Sequence, residues 1–233
     1  MERSAIANRL LDTLPNIDRR RLISSSEECE LTAGEELWAP GARLLHAHFP
    51  IAGIVSARIP CGSHSGFQLE LVGAEGMIGL PLVFGVNVAT LHSYVQRSGA
   101  SLRLTAAALR RELKACRALR EILGRYAYVL RAQLAETAAC NNFHLLEARL
   151  ARWLLTTLDR ANSNEFHLTH ESLAKMLGVR RVSITNAASC LQERQLLQYS
   201  RGDIEVLDRV GLEEVSCRCY QSAKATYESI IGS

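Results

Sequence analysis

Leu168–Leu191, with the sequence LTHESLAKMLGVRRVSITNAASCL, contains the clearest structural pattern in the second half of the chain. Thr169 is a good helix N-cap residue, and Glu171 in the first turn suits the helix dipole. Gly178 stands where a tight turn between two helices needs a residue in the left-handed conformation. The stretch therefore predicts two short helices joined by a tight turn.

The second of these helices, which begins near Arg181, has an apolar face and an opposite face without acidic residues. The apolar positions follow the spacing i, i+3, i+4 and i+7 of a buried helix stripe: Ile184, Ala187, Ala188 and Leu191. The opposite face presents Arg181, Val182, Thr185, Asn186 and Ser189. Arginine can donate two hydrogen bonds to guanine, asparagine can pair with adenine, and valine can contact a thymine methyl group. The pattern predicts a helix-turn-helix whose second helix reads the DNA major groove.

A β-hairpin is expected directly after this helix. Leu196–Tyr199 and Ile204–Leu207 have the composition of strands, and Ser200–Asp203 forms the turn between them with Arg201 inside it. A hairpin in this position is a wing, which indicates a winged helix. The alternative is a helical pair and a hairpin without a role in nucleic-acid binding.

The first half of the chain has the sequence pattern of a β domain. After short helices within residues 4–24, the region from about Cys29 to Thr105 alternates short apolar runs with turns rich in glycine and proline. The expected strands are Leu45–Phe49, Ile54–Ile59, Phe67–Val72, Leu91–Gln96 and Ala100–Leu104. Several short strands at near-regular spacing favour a sandwich or barrel.

A long helix is expected to connect the two halves, from Thr105 to Asn141, with a hinge at Cys140–Asn142. Its apolar stripe is wider than one contact needs: Leu119, Ile122, Leu123, Tyr126, Val129, Leu130 and Leu134. The stripe fits either a dimerisation helix or a helix buried within one subunit. Further helices are expected over Leu145–Leu158 and Leu212–Ile231.

Composition excludes several classes of protein. The 233 residues are 48% apolar and 22% charged with a net charge of +3, an ordinary globular balance that rules out a disordered chain. No apolar run reaches the ~20 residues of a membrane span, and the N-terminus lacks a signal-peptide core, so a cytoplasmic location and no membrane partner are expected. Gly-x-Ser-x-Gly, phosphate-loop and His-Glu-x-x-His motifs are missing, so we do not expect an enzyme.

The cysteines give no sign of a disulfide framework, because their number is odd and no Cys-x-x-Cys occurs. They stand at positions 29, 61, 116, 140, 190, 217 and 219. Cys217 and Cys219 form the one close pair, and two thiolates do not complete a four-ligand zinc site. We therefore expect buried small apolar residues, with no metal site and no cofactor.

From these residues the chain resembles the Crp/Fnr superfamily of bacterial transcription regulators, most specifically from Leu168 to Leu207. The resemblance implies an α+β fold: an N-terminal β jelly roll of the cyclic-nucleotide-binding type, a long dimerisation helix and a C-terminal winged helix-turn-helix. The corresponding domains would be a sensor at 1–106, a dimerisation helix and hinge at 107–141, and a DNA-binding domain at 142–233. It also implies a homodimer that binds a palindromic promoter site in double-stranded DNA, with RNA polymerase and a small-molecule effector as further partners.

Carried over residue by residue, the resemblance implies base contacts by Arg181, Val182 and Asn186. Phosphate contacts would fall on Thr169, His170, Arg180 and Ser183. We include Thr185, on the same helix face, and Arg201, in the wing turn, among the candidate DNA-binding residues. Well-known family members often carry Glu where this chain has Val182 and Arg where it has Asn186, so a familiar operator is not expected.

The sensor half departs from the cyclic-nucleotide binders of the family. Leu80 stands near the position of their ribose-binding Glu, and no Arg occurs around Leu91–Ser93 to hold a phosphate. Cyclic AMP is therefore not expected as the effector; the alternative is an effector, a cyclic nucleotide included, held in an atypical pocket. The N-terminal cysteine cluster of the iron–sulfur sensors is also missing, and a haem ligand cannot be chosen among the histidines.

Overall fold

The computed structural model describes residues 8–61, 64–161 and 163–232, which form two compact units. The first comprises residues 8–57, 70–131 and 227–232, and the second comprises 132–226 together with the described part of 58–69. Residues 1–7, where the expected first helix begins, lie outside the described part. Within it, no helix is long and apolar enough to cross a membrane.

Seven strands build two antiparallel sheets in the first half of the chain. They are β1 (Glu27–Leu31), β2 (Glu36–Trp38), β3 (His46–Pro50), β4 (Ile54–Cys61), β5 (His64–Val72), β6 (His92–Arg97) and β7 (Gly99–Thr105). One sheet has the order β1-β7-β3 and the other β2-β6-β4-β5. The five expected strands correspond to β3–β7. Strands β1 and β2 were missed because they are short and mostly polar on the surface, so neither has an alternating apolar pattern.

Helices contribute residues to the core of the first unit. They are α1 (Arg9–Asp12), α2 (Asn16–Ser24), α3 (Ala106–Ala115) and the first part of α4 (Arg117–Phe143). The wide stripe of α4 packs into this core with the inward residues of β3 and β7: Leu119, Ile122, Leu123, Tyr126, Val129 and Leu130 are buried. Six of the seven stripe residues are therefore covered within a single chain, as the second interpretation of this helix required, and the seventh, Leu134, is half-buried.

The single helix expected over Thr105–Asn141 is interrupted at Cys116. This residue has extended backbone angles (φ −118°, ψ 107°), and its Sγ accepts a hydrogen bond from the Leu119 N–H at 3.3 Å. Cys116 thus acts as the N-cap of α4, a role in which cysteine is rare. The hinge expected at Cys140–Asn142 is also wrong, because α4 remains helical to Phe143 and the chain leaves the helix at His144–Leu145.

The second unit holds the winged helix. Its elements after α4 are α5 (Leu146–Ala161), β8 (Glu165–His167), α6 (His170–Leu177), α7 (Arg181–Glu193), β9 (Leu197–Ser200), β10 (Asp203–Val206), α8 (Arg209–Val215) and α9 (Cys219–Ile231). The strands form one antiparallel sheet in the order β8-β10-β9. A core made of α5, α6, α7 and the sheet holds the unit together. The single C-terminal helix expected over Leu212–Ile231 is wrong, because residues 216–218 separate α8 from α9.

Candidate nucleic-acid interface

The turn between α6 and α7 has the geometry that the sequence predicts. Thr169 caps α6 by accepting a hydrogen bond from the Ser172 N–H at 3.1 Å. Gly178 ends the helix in the left-handed region with φ +66°. Together these two residues fix where α6 begins and ends, and α7 starts three residues after the glycine.

Helix α7 has the two faces expected for a recognition helix. Its buried positions are Ile184, Ala187, Ala188 and Leu191, which pack into the core of the second unit. Its exposed positions include Arg181, Val182, Thr185, Asn186 and Ser189. Val182 leaves 61% of its surface exposed, although valine is normally buried. The exposed face of α7 thus presents hydrogen-bond donors and one small apolar side chain, that of Val182.

Two arginines at the start of α7 are available to an anion. Arg180 is the N-cap residue and Arg181 the first helical residue; both are exposed, and neither has a carboxylate within 4.0 Å in the described part of the chain. By contrast, Lys175 lies 3.3 Å from Glu171, and Arg194 lies 3.2 Å from Glu147. The helix N-terminus adds partial positive charge at the same place, which favours phosphate binding.

His170 lies at the junction of α6, α7 and the wing rather than on an open rim. Its ring stacks on Tyr199, and its Nδ1 lies 3.1 Å from Thr185 Oγ1. The Thr185 hydroxyl donates to the Arg181 carbonyl at 3.2 Å, so Nδ1–H must be the donor to Thr185 and Nε2 carries no proton. Nε2 is buried and has no hydrogen-bond partner in the described structure. A neutral ring in this tautomer offers no donor to a phosphate.

The environment of His170 also keeps it neutral. Desolvation lowers its pKa below the ordinary 6.5, and the nearby Arg181 guanidinium lowers the pKa further. His170, which was expected to contact phosphate, and Thr185, which was included among the candidate DNA-binding residues, both make hydrogen bonds within the protein. Both assignments stay predictions, although the geometry favours a positioning role for these two residues.

The wing is a hairpin of β9 and β10 closed by the two residues Arg201 and Gly202. Arg201 is exposed at the tip with φ +53°, a left-handed conformation that costs a non-glycine residue roughly 1–3 kcal/mol. Gly202 has φ +100°, and a Cβ atom there would lie 2.6 Å from the His167 ring. The Tyr199 hydroxyl donates to the Leu168 carbonyl at 2.8 Å and ties the wing to the start of α6. Sequence reasoning missed Tyr199, although an aromatic residue in a wing strand was a signal.

In the first unit, the segment that carries Leu80 forms a 3₁₀ turn over Leu80–Phe84, between two left-handed glycines. Leu82 is buried, and Leu80 and Val83 pack against the same core. The His92 ring lies 2.6 Å from a Glu36 carboxylate oxygen. The exclusion of cyclic AMP stays a prediction.

The second unit also brings together side chains that could hold a metal ion. They are Cys140, His144, Cys217 and Cys219, and their ligand atoms all lie within 4.8 Å of one another. Only the two thiolates of the close pair, Cys217 and Cys219, were recognisable as a pair from their spacing. The spacing Cys140-x-x-x-His144, one helical turn, was the signal for the other two ligands.

Comparison with known proteins finds a matching domain and several similar structures. The Crp-like helix-turn-helix domain matches residues 148–215. FixK2 from Bradyrhizobium japonicum has a similar structure, with a TM-score of 0.70 at 13% identity over 82% of this chain and 98% of that one. A Crp/Fnr-family transcriptional regulator from Eubacterium rectale reaches a TM-score of 0.67 at 18% identity, over 88% and 96% of the two chains.

The regulator CLP from Xanthomonas campestris is similar with a TM-score of 0.68 at 15% identity, over 82% of this chain and 99% of that one. No curated protein matches the sequence. The predicted resemblance and fold class are confirmed, and the two antiparallel sheets of the first half are consistent with the expected jelly roll. The chain has the fold of Crp/Fnr-type transcription regulators and carries a Crp-like helix-turn-helix domain.

Proposed function

We propose that this protein is a cytoplasmic transcription regulator that binds a palindromic promoter site as a homodimer, with RNA polymerase as a further partner. The observation that carries the proposal is the exposed face of α7, which has no acidic residue and begins with the exposed Arg180 and Arg181. Such a face is attracted to DNA and can enter the major groove. No enzymatic role is proposed.

We assign the exposed residues to two kinds of DNA contact, one with base edges and one with the phosphate backbone. Arg181, Val182 and Asn186 contact base edges, since they project from the first two turns of α7. Arg180 and Ser183 contact phosphates around the N-terminus of α7, Thr169 contacts a phosphate at the N-terminus of α6, and Arg201 contacts the backbone from the wing tip. The energy stored in the left-handed Arg201 is consistent with a residue kept for binding rather than for stability.

The homodimer would form through the exposed face of α4, because the apolar stripe is already buried inside the chain. This face carries Gly124, Tyr128, Ala135 and Ala138 at spacings of four, seven and three residues, and Tyr128 is 55% exposed. Small residues let two helices approach closely, and one aromatic ring supplies contact area. Two recognition helices would then reach half-sites ~34 Å apart.

The first unit would act as the sensor for a small effector that is not bound by the usual ribose and phosphate residues. The second candidate is a cyclic nucleotide held by atypical residues; CLP, one of the structural relatives, is described as responsive to c-di-GMP. Calorimetric titration with cyclic AMP and cyclic di-GMP separates the two. Saturable binding at micromolar concentration supports the second candidate, and the lack of any heat supports the first.

DNA binding is tested by fluorescence anisotropy on a duplex selected from a random library, in the presence of competitor DNA. Arg180→Ala should weaken binding to all duplexes alike and lower the salt slope by about one per subunit, because one phosphate contact is lost. Arg194→Ala is the matched control, since Arg194 is an exposed arginine at the other end of α7 that pairs with Glu147. A wild-type protein that shows no preference for any selected duplex would contradict the proposal.

A further inference from the structure

Four metal-ligating side chains of the second unit converge from two places in the sequence. Cys140 lies in the last turn of α4, and His144 follows it one turn later. Cys217 and Cys219 lie at the break between α8 and α9, with Cys219 as the first residue of α9. All four belong to the same compact unit, so their proximity is a property of that unit alone.

The distances within the cluster match those of a tetrahedral zinc site. Cys140 Sγ lies 3.4 Å from Cys217 Sγ, and Cys219 Sγ lies 3.6 Å from His144 Nδ1. With metal–sulfur bonds of ~2.3 Å and metal–nitrogen bonds of ~2.0 Å, tetrahedral angles place two sulfurs about 3.8 Å apart, and a sulfur and a nitrogen about 3.6 Å apart. The whole set already lies within 4.8 Å, so only shifts of side-chain rotamers would bring the four atoms around one ion.

The chemistry of the ligands selects the ion. Three sulfurs and one imidazole form a set that is typical of structural zinc, and they include none of the carboxylates that magnesium or calcium prefer. Four protein ligands leave no open position, which excludes a catalytic metal. The 3.4 Å between Cys140 and Cys217 is far longer than the ~2.05 Å of a disulfide bond.

The surroundings fit the charge of an occupied site. Three thiolates and one Zn²⁺ carry a net charge of −1, and the half-buried Arg152 interacts electrostatically with all three cysteines. Its guanidinium is held by a hydrogen bond to Thr137 Oγ1 at 3.3 Å. Arg149 interacts with Cys140 and Cys217 as well. Cys140 and Cys217 are buried, whereas His144 is exposed, so an ion can enter from the histidine side.

We propose that Cys140, His144, Cys217 and Cys219 bind one structural Zn²⁺ ion. The ion cross-links the end of α4 to the loop between α8 and α9, two segments about 75 residues apart in sequence. Its binding free energy would add to the folding free energy of this unit. The site does not depend on DNA binding, because none of its ligands lies on the exposed face of α7.

The test measures zinc bound to the full chain, purified under reducing conditions, by mass spectrometry of the metal. One zinc ion per chain is expected, together with the intense visible bands of tetrahedral Co²⁺ when cobalt replaces zinc. Cys140→Ser and Cys217→Ser should each lose stoichiometric binding. Cys29→Ser is the matched control and should keep it, because Cys29 is a half-buried cysteine of the first unit.

A ligand exchange keeps the test valid if the serine variants fail to fold. Cys219→His should retain one bound metal with a shifted Co²⁺ spectrum, because histidine is itself a zinc ligand. The proposal is overturned if the reduced wild-type chain binds no zinc and shows no tetrahedral Co²⁺ bands. It is also overturned if the serine variants bind as much zinc as wild type, or if a Cys140–Cys217 disulfide forms and its reduction restores no metal binding.

Discussion

The rings of His170 and Tyr199 stack with their centroids 4.1 Å apart and their planes inclined by 22°. This contact joins the first residue of α6 to strand β9, so it fixes the wing against the helix-turn-helix. Thr185, on the recognition helix, completes the junction through its hydrogen bond with His170. The orientation of α7 relative to the wing therefore depends on this small aromatic cluster.

Removing this cluster should destabilise the winged helix. Tyr199→Leu loses the stacking and the hydrogen bond to the Leu168 carbonyl, which together are worth ~1–2 kcal/mol of unfolding free energy. Chemical denaturation of wild type and variant measures the loss. Val210→Ala is the control, because that valine of α8 is largely exposed and lies outside every proposed interface, and its effect should stay within about 0.5 kcal/mol. Equal effects of the two substitutions would contradict the assigned role.

His170 should titrate below pH 6.5, because desolvation and then the Arg181 guanidinium lower its pKa. The neutral ring is thus the form present when the protein binds DNA at pH 7. Arg181→Ala removes one of the two causes, so the midpoint of the His170 titration should move upward in this variant. NMR titration of the ring protons checks both statements, and a wild-type midpoint above 6.5 would show that the ring is solvated or paired with an anion.

His48 should make the first unit sensitive to acid. Burial lowers its pKa to about 4, with smaller contributions from His46 and Arg103. In the unfolded chain the pKa of His48 is near 6.5, so the unfolded state binds more protons than the folded state between pH 6.5 and 4. The contribution of His48 to the free energy of unfolding is therefore complete above pH 6.5 and is lost as the pH falls. The slope should approach ~1.4 kcal/mol per pH unit, for a total of about 3 kcal/mol. The free energy of unfolding of His48→Gln, measured by chemical denaturation, should depend less steeply on pH than that of the wild type. An unchanged slope would show that other groups cause the pH dependence.

The two faces of α4 should respond differently to a negative charge. Tyr128→Glu places the charge on the exposed face and should convert a homodimer into folded monomers. Leu130→Asp places it in the buried stripe, where an unpaired charge should unfold the first unit. Light scattering and thermal denaturation separate these results. If the wild-type protein stays monomeric at micromolar concentration, even in the presence of DNA, the proposed homodimer is contradicted.

The helix-turn-helix could be predicted from the sequence because its constraints are local. The spacing of Ile184, Ala187 and Leu191 determines the buried face, and Thr169 and Gly178 mark where α6 begins and ends. The break at Cys116 could not be predicted, since a thiol replaces the usual capping oxygen. Asn142, taken as part of a hinge, instead donates to the Ala138 carbonyl and stays helical.

The residues that meet in the candidate sites are far apart in sequence. Their contacts cannot be inferred from the spacing of residues along the chain. The exposed polar residues of α7 were recognisable, but the internal hydrogen bonds of His170 and Thr185 depend on how α6 meets α7. In the same way, Cys217 and Cys219 were visible as a pair, whereas their approach to Cys140 and His144 depends on the packing of α9 beside α4.

Base readout by the exposed face of α7 is the central claim, and Arg181 is its most direct probe. A binding-site selection from random duplexes should be run on wild type and on Arg181→Ala, with Arg194→Ala as control. We expect the wild type and the control to select the same palindromic motif. Arg181→Ala should lose the preference at one base pair per half-site, at a cost of ~1–3 kcal/mol, because a bidentate contact to guanine is removed. If Arg181→Ala selects the same motif with the same preference at every position, Arg181 does not read bases and the account is contradicted.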